Sequence, residues 1–508
     1  MLEEVEGFLG NTILNVVGLG SDADIDGPLL TRVAHAHGGH FTRATDGLTL
    51  RKFFGLSFGN IFESGALSDP ESILRAGQTQ SEPHFFDVCG EERITLALSW
   101  DDLAVPLRAI IQTPSGRIVS ERLVPPVRGR SWVFWRITLP YEGERDGRWK
   151  FVVERVPTGG EFPPAPTDVR YQYLVISAGG PKLVPLMPRQ RVYTGDSFDP
   201  LVALHYANRS FPTGAKVQLF IERPDLALGQ LTSQAGLRPP QTGGDPLDGF
   251  RSTLQDIARR SGGVLPIPIS RLEVQLFDDG LHDDGAMEPD GIYNNPLKDL
   301  TRVEGTYQFR AVASYGEVCR ATREAHWALH VEPAIDPGRS DVTLVDVNDR
   351  PGGRYGTVVI VPRDPYGNPI GPGRGGLFTV TPIAGVQIVG PVHDDGKGGY
   401  EIPVSWDPGK VIEPGVLVQQ PERNPVIITP TGIGQPPPPP RDCTGAAGDL
   451  LSCLGLPDAD VKRVRVKRVS LELDLDSCDR SSECDSDGPK PKPPKPQGGS
   501  CRERKRGR

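Results

Sequence analysis

The chain has 508 residues and a net charge of −9, with 24 % of its residues charged. Its length implies about three or four domains, since single hydrophobic cores stop growing near 250–300 residues. The acidic balance argues against a general nucleic-acid binder, no apolar run approaches the ~18–20 residues of a membrane helix, and 60 Gly with 51 Pro favour short strands and turns over long helices.

The first residues, Met1-Leu-Glu-Glu-Val-Glu-Gly, are acidic, so no secretory signal is expected there. Ile13–Leu19 reads as a buried strand. A helix follows from Asp26, whose carboxylate can cap free N–H groups while Pro28 suits the first turn. His40–Arg43 reads as a second strand, and Asp46 opens a second helix with an apolar stripe at Leu50, Phe54, Phe58 and Ile61. Strand, helix, strand, helix at this spacing predicts a parallel pair with a right-handed crossover. His35 and His37 stand two apart and face different sides of a helix, so with His40 they are expected at the surface rather than on a metal.

The ordered set Val16-Val-Gly-Leu-Gly-Ser-Asp-Ala-Asp24, Leu29-Leu-x-x-Val-Ala34 and Gly38-Gly-His-Phe-x-Arg-Ala44 resembles the last third of a von Willebrand factor A domain. In that family the metal-dependent adhesion site begins with Asp-x-Ser-x-Ser, upstream of the matching part. That motif occurs nowhere in this chain, so the resemblance carries over no adhesion residue. Residues 1–66 are therefore expected to be a partial α/β segment without the metal site, from a truncated gene or a misassigned start. About sixty residues bury too little surface to fold alone.

From 67 to 170 the alternating runs Ile94–Trp100, Leu107–Gln112, Trp132–Leu139 and Trp149–Val153, with turns at Thr113-Pro-Ser-Gly and Arg145-Asp-Gly, predict an antiparallel β-sandwich. The order of these landmarks resembles the β-rich module that follows von Willebrand A domains. Trp100, Trp132, Trp135 and Trp149 could form a carbohydrate platform, but their alternation with polar residues favours core packing.

Residues 171–334 read as an immunoglobulin-like sandwich interrupted by an insertion at 225–266, in which Phe250, Leu254 and Ile257 mark one short amphipathic helix. After it comes Phe277-Asp-Asp-Gly-Leu-His-Asp-Asp-Gly-Ala-Met-Glu-Pro-Asp-Gly-Ile-Tyr293. This phrase resembles the Asp-rich segment of sandwich domains appended to von Willebrand A domains in secreted proteins. Two readings stand. Asp278, Asp279, Asp283, Asp284 and Asp290 could ligate calcium, which takes oxygen-rich loops. Alternatively the aspartates cap turns and face water.

Residues 335–432 repeat the strand-and-turn pattern. Arg363-Asp-Pro-Tyr-Gly-Asn-Pro and His393-Asp-Asp-Gly-Lys-Gly-Gly-Tyr400 resemble landmarks of filamin- and invasin-type immunoglobulin-like repeats, which serve as spacers and binding surfaces. Residues 433–508 form a Pro-rich and charged tail, expected to be disordered. Within it Val461–Asp476 could fold as a hairpin or add a strand to a partner's edge. Cys89 and Cys319 stand alone, whereas Cys443, Cys453, Cys478, Cys484 and Cys501 crowd the tail in no zinc spacing.

The expected fold is thus mainly β, with three tandem sandwiches after a partial α/β segment. No His-Glu-x-x-His, Gly-x-Ser-x-Gly or P-loop is present, so no enzyme is expected. The expected function is a non-enzymatic interaction or adhesion-type protein, extracellular or at the cell surface by module type and cytoplasmic if the start is genuine. Its partner would be a protein or surface ligand, with no nucleic acid, no membrane span, and calcium as the one cofactor in view. The alternatives are a non-catalytic region appended to a secreted protease and a gene fragment with no role of its own.

Overall fold

The computed structural model describes residues 12–62, 66–68, 71–156, 167–187, 191–235, 248–283, 287–317 and 319–430. The polyproline run, the Val461–Asp476 segment and the five tail cysteines lie outside the described residues. The described chain is mainly β and builds three two-layered sandwiches with cores of their own.

The first stretch holds β1 (Val16–Leu19), α1 (Gly27–Ala36), β2 (Phe41–Ala44), α2 (Gly47–Phe62) and the short β3 (Ala66–Ser68). β1 and β2 pair parallel, Val16 opposite Phe41. Asp26 caps α1 by accepting from the Leu29 N–H at 3.0 Å, and Asp46 caps α2 through the Thr49 N–H at 2.8 Å. Burial on α2 differs from the predicted stripe. Phe53 is buried while Phe54 is 61 % exposed. The reason is the surface α2 meets: Leu50 and Phe53 turn towards Leu174 and Ile176 of a sandwich strand. The side chains of Phe58 and Ile61 lie outside the described residues.

The first sandwich comprises β4 (Glu71–Leu74), β5 (His84–Val88), β6 (Arg93–Trp100), β7 (Leu107–Gln112), β8 (Val127–Arg128), β9 (Trp132–Thr138), β10 (Gly147–Arg155) and β11 (Val169–Ala178). One layer is β5-β10-β7. The other runs β11-β6-β9-β8, with β4 on β11. Between them lie Ile94, Leu96, Trp135, Trp149 and Phe151, the inward positions of a period-2 pattern.

The second sandwich comprises β12 (Lys182–Pro185), β13 (Val192–Tyr193), β14 (Val202–His205), β15 (Lys216–Pro224), β16 (Ile269–Leu276), β17 (Ile292–Tyr293), β18 (Gly305–Tyr315) and β19 (Ala321–Glu332). Its layers are β16-β15-β18-β19, which β13 joins in parallel, and β12-β14-β17. The insertion between β15 and β16 carries two helices rather than one, α3 (Leu228–Ala235) and α4 (Asp248–Arg260). Leu228, Leu231, Phe250, Leu254 and Ile257 close a small core that also takes in Ala23 from the first stretch. Leu226-Ala-Leu-Gly is too short and Gly-broken to announce α3; its burial against other elements makes the helix.

The third sandwich places β20 (Asp341–Arg350), β21 (Gly353–Val361), β23 (Val386–Ile388), β24 (His393–Asp394) and β25 (Tyr400–Trp406) in one layer. β22 (Thr379–Pro382), β26 (Val416–Gln419) and β27 (Val426–Ile428) form the other.

The first stretch is not a free-standing half-domain. β2 bridges to β19 at Phe41–Ala328, β3 links β19 to β11, and the facing layers of the first two sandwiches thereby become one sheet. α1 lies over β19 and α2 over β11, so both strands are buried on both faces. That explains the unbroken apolar run Tyr173-Leu-Val-Ile: half of it faces the sandwich core and half faces α2.

Candidate functional site

The Asp-rich loop leaves the end of β16 and returns at β17. Asp278 accepts from the N–H groups of Asp290 and Gly291, both at 2.9 Å. Asp279 accepts from the Leu281 N–H at 2.9 Å and meets His282 Nδ1 at 2.9 Å, which holds its carboxyl below the usual range. Asp290 accepts from the Ile292 N–H at 2.9 Å. Asp283 sits at φ 54°, a left-handed turn position that Asp tolerates, and its carbonyl accepts from Asn294 Nδ2. His282 stacks on Phe277, with centroids 4.3 Å apart. Tyr293 is buried in the second core and anchors the loop's end. Asp284 lies outside the described residues. Among the described residues no three His, Cys, Asp or Glu side chains converge on a metal position. Asp278, Asp279 and Asp290 each accept a backbone amide within the loop.

The tryptophans separate. Trp100, Trp135 and Trp149 are buried in the first core. Trp132 is 39 % exposed and stacks on Phe134 with ring planes 9° apart. It sits at an outward position of β9, contrary to the core packing expected of all four tryptophans, because the register of β9 turns Trp132 away from the layer that Val133 and Trp135 face.

Part of the described residues' buried charge lies where the modules meet. Arg323 of β19 and Glu91 form an ion pair at 2.6 Å with both side chains wholly out of solvent. Arg323 also donates to the carbonyls of Pro181 (2.8 Å) and Thr322 (2.8 Å). Glu91 in turn accepts from the Cys89 N–H. Gly180, at φ 79°, passes so close that a Cβ there would stand 2.3 Å from the Arg323 guanidinium. Beside this pair Cys89 and Cys319, 230 residues apart in sequence, form a disulfide between the first and second sandwiches. The two cysteines that stand apart in sequence are thus partners, which spacing leaves open and tertiary folding supplies.

Asp22, after β1, accepts from Arg43 at 3.0 Å and from the Thr306 hydroxyl, and lies 3.5 Å from His330 Nδ1. Burial opposes its ionisation, but His330, Arg43 and Thr306 outweigh that and hold its carboxyl far below the usual range. The Asp26 cap pairs with Arg251 of α4, which ties the first stretch to the insertion. His40, expected at the surface, is half-buried. Burial, with His35 and Lys182 nearby, pushes its pKa down to about 4.

At the second junction Glu304, Arg374 and the Gly229 N–H meet, and the Arg374 guanidinium lies 4.2 Å from the Phe250 ring centroid. Gly229 lets α3 touch the third sandwich: a Cβ there would stand 2.2 Å from the Ile370 carbonyl. A cleft of about 680 Å³ opens nearby, lined by Arg191, Tyr193, Asp196, Gln420, Glu422 and Arg423 among others. Its polar groups already serve the junction. Arg423 reaches Asp196 at 3.1 Å and covers the Tyr193 ring, Arg191 lies between Glu332 and Glu422, and the Tyr193 hydroxyl donates to the Pro421 carbonyl at 2.7 Å. Gln420 binds both sides of the Pro333–Ile335 link. No helix among the described residues is long and apolar enough to cross a membrane.

Compared with known protein families and with curated proteins, the chain matches none. Among solved structures it is similar to a DUF4785 family protein from Legionella pneumophila (8 % identity, 72 % of this chain and 84 % of that one, TM-score 0.27). It is also similar to the Escherichia coli adhesin FdeC (12 % identity, 73 % and 100 % covered, TM-score 0.25) and to an I-band fragment of titin (8 % identity, 70 % and 99 % covered, TM-score 0.23). At such scores the architecture is argued from the chain's own strands.

Proposed function

We propose that this protein is a non-enzymatic, adhesion-type interaction protein, extracellular or at a cell surface, in which three sandwiches act as a joined spacer and binding surface for a protein or surface ligand. The observation that carries this reading is the Cys89–Cys319 bond between two modules, because structural disulfides form and persist in oxidising compartments. The domain limits 1–66, 67–170, 171–334 and 335–432 belong to the same proposal and are supported by the separate sandwich cores. A von Willebrand A origin for the first segment is supported by the parallel β1–β2 pair with its two helices. Calcium at Asp278, Asp279, Asp283, Asp284 and Asp290 remains part of the proposal and is decided by the melt described in the Discussion.

The test is exposure on living cells. In its own host the protein is expected in the medium, or labelled by a membrane-impermeant biotin reagent on intact cells. Labelling only after lysis would sink the surface reading.

A further inference from the structure

Cys89 closes β5 of the first sandwich, and Cys319 precedes β19 of the second. We infer that their bond gives the protein a further function as a tension bypass, carrying load past most of two sandwiches without stretching them. The inference rests on the surface reading only for the source of tension; the bypass itself belongs to the covalent path. A force entering upstream of Cys89 passes along β5, crosses the disulfide, and leaves through β19 and Pro333–Ile335 into the third sandwich. Everything between the two cysteines hangs from the path as a closed loop. That loop contains β6 to β18, hence Ile94, Trp135 and Trp149 of the first core and Val217, Tyr307 and Phe309 of the second.

The surroundings fit this role. The Glu91–Arg323 pair joins the same two strand ends as the disulfide and is fully shielded from water. Arg323 is further fixed by the Pro181 carbonyl from the link between the sandwiches. Non-covalent contacts therefore hold the two anchor points together while the bond bears the load. The third sandwich has no such bridge among its described residues, so it extends whether or not the bond is intact.

The full chain, held at its two ends through non-cysteine handles, is to be stretched in a single-molecule force experiment with and without reductant. At roughly 3.3–3.6 Å per extended residue, the 230-residue separation corresponds to about 780 Å of hidden contour length. The oxidised protein is expected to reach a fully stretched length shorter by that amount than the reduced protein. The double variant Cys89→Ser/Cys319→Ser is expected to lose the difference, and reduced wild type supplies the same comparison should the variant fold poorly. Equal lengths with and without reductant would overturn the inference, as would a non-reducing digest in which Cys89 is joined to a tail cysteine. Neither outcome depends on where the protein resides, so failure of the bypass and failure of the surface reading are distinguishable.

Discussion

At the scale of single residues, buried charge carries a large energy. Glu91 and Arg323 are held at 2.6 Å with no exposed side-chain surface. Removing one partner strands the other in a low-dielectric site, which typically costs about 3–5 kcal/mol. Arg323→Met should therefore lower the unfolding free energy by that order in a denaturant titration, and Glu91→Leu/Arg323→Met should recover much of it. His40 gives a pH signature. Its folded pKa of about 4 lies below the ordinary 6.5, so its contribution is complete above about pH 6.5 and is lost as pH falls through 4. His35 and Lys182 face it, and their positive charge acts in the same direction. The loss is about 3 kcal/mol, and His40→Gln should flatten stability over that window. Asp22 adds a second loss below its ordinary 3.8. The Asp-rich loop is tested by thermal melts in saturating calcium and in chelator. Three of its carboxylates accept amide hydrogens and keep lone pairs for an ion, so the proposed calcium site predicts a raised midpoint in calcium, and an unchanged one would remove calcium from the reading. A raised midpoint would establish the calcium site, because a ligand of the folded state alone must stabilise it.

At the scale of elements, α1 and α2 matter through what they cover. A sandwich sheet in solution shows one polar face, yet β11 and β19 are buried on both faces because the helices lie across them. Leu174→Ala would open a cavity under α2 without touching the sandwich core behind it. A loss of about 2–4 kcal/mol is expected in chemical unfolding, against a few tenths for Phe54→Ala on the exposed side of the same helix. The one-residue shift from the predicted stripe, Phe53 for Phe54, has one cause. Periodicity gives the pitch of a helix, but Leu50, Phe53 and Phe54 allow either of two faces, and Leu174 with Ile176 selects between them.

At the scale of the whole molecule, each module is fastened to the next by groups taken out of solvent. The Ala334 N–H donates to the Thr194 hydroxyl and the Ile335 N–H to Gln420, so the link between the second and third sandwiches is itself paired. In native-state hydrogen exchange these two amides should be protected like those of the sandwich cores. Rapid exchange at both would mean that the sandwiches separate there. The insertion belongs to this scale as well: α3 and α4 touch the first stretch through Asp26–Arg251 and the third sandwich through Gly229 and Arg374. An insertion whose sequence announces one short helix is here a two-helix wedge between modules.

The sequence by itself determined most of the long strands, the turns and the two capped helices, because period-2 alternation, Asp-Gly steps and Asp caps act over a few neighbouring residues; the strand expected from Ile13 begins only at Val16, with Ile13 exposed. It also assigned Trp135 and Trp149 to a core and placed five aspartates in one loop. Tertiary structure alone decided what those local pieces meet. Cys89 and Cys319 lie 230 residues apart, and Glu91 and Arg323 form a buried pair over a similar span. No spacing rule reaches across such distances, since it is the summed burial of two sandwiches that brings the strand ends together. The same holds for the loop: composition can crowd carboxylates into thirteen positions, from Asp278 to Asp290, but whether they turn to amides or to a common centre depends on the backbone that the flanking strands impose.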